Sequence, residues 1–231
     1  VTDRVAVYTA IFGGRDVYAP PLNRTADAFL FTDAPHVPAN GERVVEMRVA
    51  FDGPFGPRRT ARLVKICGHP LLSGYDICLW MDGSFDPGNA DLSATARKAL
   101  ADADMAAFRH PARSCAYQEA AMVKRLRYDR AHVVSAQMER YRKDGFPENF
   151  GLVQTGFLAW RSSSLQERFR LLWWKEVSEG SIRDQLSFMY CAWKTGACVA
   201  SMPWSALKGM GIVFRPHAVD PKGIGPESRV T

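Results

Sequence analysis

The sequence predicts an α/β domain with a largely parallel central sheet. Three observations carry that reading. Short runs rich in Val, Ile, Phe and Tyr alternate with longer segments of helical periodicity. Polar residues collect just after the apolar runs. The chain's 231 residues, 47% hydrophobic and 23% charged, suffice for a real core without disulfide or metal support.

Strands are predicted at 4–11 (RVAVYTAI), 27–32 (DAFLFT), 43–49 (RVVEMRV), 76–81 (DICLWM), 104–109 (DMAAFR) and 153–160 (VQTGFLAW). Helices are predicted between or after them, at 58–68, 92–101, 115–127, 131–143, 164–177 and 182–194. The last is the clearest, because Ile182, Leu186, Met189 or Tyr190, and Trp193 recur at helical spacing. Pro and Gly concentrate at 13–21, 53–57 and 203–231, which reads as a loop after the first strand, a loop before the first helix and an irregular tail from about 203. One domain over 1–231 is expected, with no internal repeat.

Composition excludes several classes. Cys67, Cys78, Cys115, Cys191 and Cys198 show no C-x-x-C spacing, so they read as reduced, mostly buried thiols rather than a disulfide framework or a zinc ribbon. A net charge of +6 favours anionic ligands, but the basic residues are interleaved with acids, unlike those of a nucleic-acid binder. No run approaches the roughly 18 apolar residues of a membrane helix. The chain opens on VTDRVAVYTA rather than on a basic and then apolar leader, so a soluble chain or an excised domain is expected, cytoplasmic if its source is bacterial.

In an open α/β sheet, ligands bind beyond the carboxyl ends of the strands. Those positions are polar here: Thr9, Gly13, Gly14, Arg15 and Asp16 after the first strand, Thr32 and Asp33 after the second, Asp82, Gly83 and Ser84 after the fourth, His110 and Arg113 after the fifth. The sixth carries Gln154, Thr155 and Gly156. The Gly13-Gly14 pair reads as a tight turn, and there is neither G-x-G-x-x-G nor a P-loop. In the segment 58–92 a helix bearing Arg58, Arg59, Arg62 and Lys65 leads to an apolar strand that ends in Asp82. That acid either binds a divalent cation that bridges to phosphate or caps its own turn, with Gly83 supplying the dihedral. His110 and Arg113, spaced as HP-x-R, suit a substrate or phosphate contact. His69 and His132 read as structural, and Trp173-Trp174 as core. Tyr117, Gln118 and Glu119 begin a helix, and the charges on it and the next one, with Arg125, Arg127, Arg130, Arg140, Arg142 and Lys143, read as a solvated face.

Asp184 has two readings. Ser181 followed three residues later by Asp184 is a capping box for the helix from 182. The same placement would aim a carboxylate into the cleft, with Gln185 beside it.

The motifs VAVYTAIFGGRD (5–16), FTD (31–33), RTARLVK (59–65), LWMDGSF (79–85), HPARSCAYQEA (110–120) and SIRDQLSF (181–188) resemble, in order, those of the glycosyltransferase family named after plant mucilage-related and pollen-turgor-defect proteins. More distantly the chain resembles glycogenin-like enzymes. The resemblance implies a glycosyltransferase-A-type fold and transfer of a sugar, in a hexosyltransferase type of reaction, from a nucleotide-sugar to a saccharide or glycoconjugate acceptor in polysaccharide synthesis. It implies a donor bound by Thr9, Ala10, Ile11, Asp33, Arg62, Lys65, Asp82, Ser84, His110 and Arg113, with Asp184 and Gln185 catalytic. The related D-x-D motif binds manganese. Here Ser84 stands at the second acid, Asp86 lies two residues on, and a late His position corresponds to His217. A Mn²⁺ or Mg²⁺ ion on Asp82 and His217 is therefore expected, or else Arg62 and Lys65 in its place. The competing readings are a noncatalytic nucleotide-sugar-binding module and a ceramidase-type lipid amidase. The second needs clustered His or Cys ligands that the sequence lacks.

Overall fold

The computed structural model describes residues 3–53 and 55–215. It is an α/β fold built on a seven-stranded, mostly parallel sheet with helices on both faces. Its strands are β1 (Val5–Ile11), β2 (Asp27–Thr32), β3 (Arg43–Glu46), β4 (Ile77–Met81), β6 (Met105–Arg109), β7 (Val153–Arg161) and β8 (Val199–Met202), in spatial order β3-β2-β1-β4-β7-β6-β8. A separate ribbon pairs β5 (Phe85–Asp86) with β9 (Val213–Phe214). The helices are α1 (Gly56–Cys67), α2 (Leu92–Leu100), α3 (Ala116–Arg125), α4 (Ala131–Lys143), α5 (Ser164–Glu179), α6 (Gln185–Thr195) and α7 (Ala206–Met210). The segment expected to be irregular from 203 therefore contains α7 and β9. Both are too short for periodicity to reveal.

Strand alternation divides the core in two. In β1, Ala6, Tyr8 and Ala10 point into a large cluster with Phe29, Phe31, Trp80, Trp160, Phe169 and Trp173, under α1 and α3 to α6. Val5 and Val7 point the other way, with Leu79, Met81, Phe108 and Phe157, under α2 and α7. Strands covered on both faces are nearly all apolar, as in Ile77–Met81, which is buried at every position. Trp173 and Phe169 are core residues, as the sequence implied.

One strand departs from the parallel expectation. β7 runs antiparallel to both β4 and β6, so its beginning, rather than its end, reaches the rim where β1, β4 and β6 finish. Gln154, Thr155 and Gly156 thereby stand beside Asp82, whose backbone N–H continues the ladder onto the Gly156 carbonyl at 2.7 Å. A side chain at Gly156 would crowd that approach. A Cβ there would lie 3.1 Å from Asp82 Oδ2 and 3.0 Å from the Phe85 ring.

Candidate functional site

A cleft of about 640 Å³ opens over this rim, large enough for a small-molecule ligand. Ala10 and Ile11 line it from the end of β1. Thr9 does not: it faces the opposite side of the strand, against Tyr18 and Phe85 around a cavity of about 10 Å³. Asp33 also points elsewhere. Both of its carboxylate oxygens accept the Gly13 N–H at 3.0 Å, which pins the loop after β1. Gly13 and Gly14 both have positive φ, 67° and 60°, so the turn reading of this pair holds.

The centre of the site is an ion-pair network around Asp184, 3% exposed. Lys65, on α1 and fully buried, donates to Asp184 Oδ2 at 2.6 Å and lies 3.9 Å from Asp82 Oδ1. Thr155 Oγ1 donates to the same Asp184 oxygen at 3.1 Å, and Arg62 Nε approaches it at 3.3 Å. The ammonium also faces the rings of Trp80 and Trp173 at 5.6 and 5.8 Å. The Trp80 indole N–H donates to Asp82 Oδ1 at 2.7 Å, and that of Trp173 to the Asp184 carbonyl at 2.9 Å. Burial alone would push the Asp184 carboxyl up, but Arg62 and Lys65 outweigh it and hold the group well below the usual carboxylate range. Burial pulls the Lys65 ammonium down, against the opposing pull of Asp184 and Asp82.

This arrangement corrects the capping expectation. α6 begins at Gln185, and Asp184, at its N-cap, makes no side-chain capping bond. Ser181, completely buried, donates instead to Asp129 Oδ2 at 2.7 Å. A capping box is a local signal, and here two distant partners, Asp129 and Lys65, take the groups it would use. Lys65 is likewise displaced from its expected place. It does not reach the cleft, and the donor side meets it only through the carboxylates. Gln185 is buried and donates to the Val153 carbonyl at 2.8 Å, tying α6 to the start of β7.

A second network lies on the β6 side. Glu119, expected on a solvated face, is 4% exposed. It accepts Arg113 Nε at 2.5 Å and faces Arg183 Nη2 at 4.0 Å. Beneath it, His110 Nδ1 accepts the backbone N–H groups of Ala112 and Arg113 at 3.1 and 3.0 Å. Burial first, then Arg113 and Arg183, push this imidazole down to about 4, so it is neutral at physiological pH. The signal that the solvated-face reading passed over is that Glu119 falls on the same helical face as Ala116, Ala120 and Val123.

Arg15, Arg58, Arg62 and Arg183 complete the cleft's charge. Arg183 was missed in sequence, although it sits inside the SIRDQ motif. Arg58 is pushed down to about 10 by burial and then by Arg62, Arg15 and Arg183, which outweigh Asp184. Arg15 is lowered by burial, with Arg62 and Arg183 among the like charges that act on it. These guanidinium groups thus converge on one region. The Nε atoms of Arg62 and Arg183 are buried without a hydrogen-bond acceptor.

The described residues do not fit a divalent-cation site. Ser84, at the second acid's position, is buried and offers a neutral hydroxyl, and the Lys65 ammonium already stands beside Asp82. Asp86 is turned away, accepting the Gly88 N–H at 3.0 Å and pairing with Arg215. Among the described residues no three His, Cys, Asp or Glu side chains come close enough together to hold an ion. His217 lies outside the described residues. Among those residues too, no helix is long and apolar enough to cross a membrane.

The profile of the TOD1/MUCI70, glycosyltransferase-like domain family matches residues 43–205. The chain belongs to that family. The TOD1/MUCI70 match spans β3 to β8, including Arg58, Arg62, Lys65, Asp82, Glu119 and Asp184. Among solved structures, that of mouse xyloside xylosyltransferase 1 in its apo form is similar at a TM-score of 0.48 and 8% identity, over 86% of this chain and 85% of that one. A comparison with curated proteins gives no match.

Proposed function

We propose that this domain transfers a sugar from a nucleotide-sugar donor to a hydroxyl of a saccharide or glycoconjugate acceptor, on a glycosyltransferase-A-type fold. The observation that carries the reading is the convergence of Arg15, Arg58, Arg62 and Arg183 on a cleft over the strand ends of a glycosyltransferase-like domain. Sugar transfer breaks the bond between the anomeric carbon and a phosphate oxygen, so negative charge grows on the departing diphosphate. Preorganised cations in a partly dry cleft stabilise that charge without reorganising during the reaction. The acceptor oxygen forms the new bond to the anomeric carbon, and its proton passes to a phosphate oxygen.

Asp184 is a poor candidate for a general base. A carboxylate held anionic by Arg62 and Lys65 has little affinity for a proton. It acts as a positioning residue, fixing Arg62 on the cleft side and Lys65 behind it. Hexosyl transfer in polysaccharide or glycoconjugate synthesis is the process proposed for the domain.

The test is a thermal-shift screen against nucleoside diphosphates and nucleotide-sugars, followed by a transfer assay with the donor that binds. A ligand at a hundred times its Kd should stabilise the fold by about 2.7 kcal/mol. A flat melting temperature across all nucleotides at millimolar concentration removes the donor site. Binding with neither transfer nor donor hydrolysis would leave a noncatalytic module.

A further inference from the structure

The cleft carries more positive than negative charge: Arg15, Arg58, Arg62, Arg113, Arg125 and Arg183 line it, against Asp16, Asp82, Glu119 and Asp184. Glu119 engages Arg113 and Arg183, Asp184 engages Lys65 and Arg62, and Asp16 and Asp82 act on Arg15 and Arg62. Arg58 lies over the Phe55 ring at 6.0 Å, and three like charges outweigh the acid that reaches it. The Arg183 Nε–H is buried with no acceptor, and the Arg62 Nε–H meets Asp184 as an ion pair at 3.3 Å without making a hydrogen bond. A fold that crowds arginines and leaves their donors unmet stores an unfavourable energy that a bound anion relieves. Next to this surplus, the strand-end position from which a metal would be held offers one carboxylate, one neutral hydroxyl and a buried ammonium 3.9 Å away.

We propose that Arg15, Arg58, Arg62 and Arg183 are a built-in replacement for the divalent cation, so that the cleft binds the diphosphate of a nucleotide without metal. The proposal rests on the donor-site reading and deepens it by naming what meets the diphosphate. The four groups come from three separate stretches, the loop after β1, the first turns of α1 and the approach to α6, so they can surround an anion rather than meet it from one side. Guanidinium groups suit the role, since their forked donors match phosphate oxygens in pairs. Asp184 and Lys65 belong to the same device. Lys65 meets Asp184 from behind, while Asp184, Asp82 and Asp16 together hold the Arg62 guanidinium charged on the cleft side.

The experiment is calorimetric titration of the full chain with uridine diphosphate, guanosine diphosphate and inorganic pyrophosphate, each in EDTA and again in millimolar Mn²⁺. The expected result is nucleotide binding in EDTA with a Kd within about threefold of that in Mn²⁺, a difference below 1 kcal/mol. Arg58→Gln should weaken nucleotide binding by about tenfold or more while the unliganded melting temperature stays level or rises, because one of four crowded charges is gone. Arg183→Gln should weaken it similarly. Nucleotide binding that appears in Mn²⁺ and vanishes in EDTA overturns the proposal and leaves the donor site standing. Pyrophosphate binding in EDTA without binding of any nucleotide keeps the cationic site and removes the donor reading. No binding of any probe, under either condition, removes both. Wild-type affinity in both arginine variants also overturns it.

Discussion

Asp184 and Glu176 are buried to the same degree, 3% exposed each, yet they are neutralised in different ways. Glu176, on α5, receives Arg140 Nη1 and Nη2 on its two oxygens at 2.8 and 2.5 Å, with Tyr141 at 2.8 Å on one of them. Gln137 closes the set from the same helix as Arg140. That network is satisfied within the fold, and it fastens α4 to α5. Asp184 receives a fully buried ammonium and a guanidinium whose Nε lacks a hydrogen bond, in a cleft lined by five further arginines. The difference separates a carboxylate that joins helices from one that sets charge for a ligand.

Removing each acid should sharpen the comparison most. Asp184→Ala leaves Lys65 buried without its nearest counter-charge, and a loss of about 3 to 5 kcal/mol is expected in urea denaturation. Glu176→Ala should cost about 2 to 3 kcal/mol, because Arg140, with its side chain 44% exposed, can turn to water and only Tyr141 and Gln137 are left short. Lys65→Met combined with Asp184→Leu should recover most of the stability while nucleotide affinity stays lost. Equal costs for the two single variants, or recovery of binding in the double variant, would break the distinction.

A smaller effect is expected with pH. His110 is lowered from 6.5 to about 4 by burial, Arg113 and Arg183, so between those values the unfolded chain takes up a proton that the folded chain does not. Stability should therefore fall as pH drops from 6.5 to 4, by at most about 3 kcal/mol from this residue. Asp184, lowered in the fold, contributes stability above its ordinary value of 3.8 and loses it only in stronger acid. The urea midpoint followed from pH 7 to 4 should flatten in His110→Asn; an unchanged slope would mean that another group titrates. The smallest effect concerns Asp86. Because its partner Arg215 is 58% exposed, Asp86→Asn should cost under about 1 kcal/mol and leave nucleotide affinity unchanged with or without Mn²⁺. A changed response to Mn²⁺ would return Asp86 to the site.

Much of this fold was legible from periodicity. α4 runs over the predicted 131–143, and the strand predicted at 153–160 is Val153–Arg161. The direction of β7 was not legible, because apolar patterning records burial and not which way a strand runs. β8, β9 and α7 are too short to stand out. The strand-end rule located the cleft, since Arg15, Asp82, Ser84, His110, Arg113 and Gln154 all line it. It failed where a contact spans the chain. Lys65 reads as a cation offered to the donor diphosphate until Asp184, 119 positions away, accounts for its burial. Of the two readings of Asp184, the cap fails for the same reason.

The reversed strand has a consequence for synthesis. β6 pairs with β7 and β8, and β7 alone joins that pair to β4. A ribosome that has made β6 must still deliver α3 and α4 before the strand that fastens it, an interval of several seconds at about 5 to 20 residues per second. Throughout that interval β4, apolar at every position, offers a bare edge, and β6 waits beside it with no strand to bridge them. Such edges are the surfaces on which incomplete chains aggregate. A nascent chain paused before Val153 is therefore the form most in need of a chaperone.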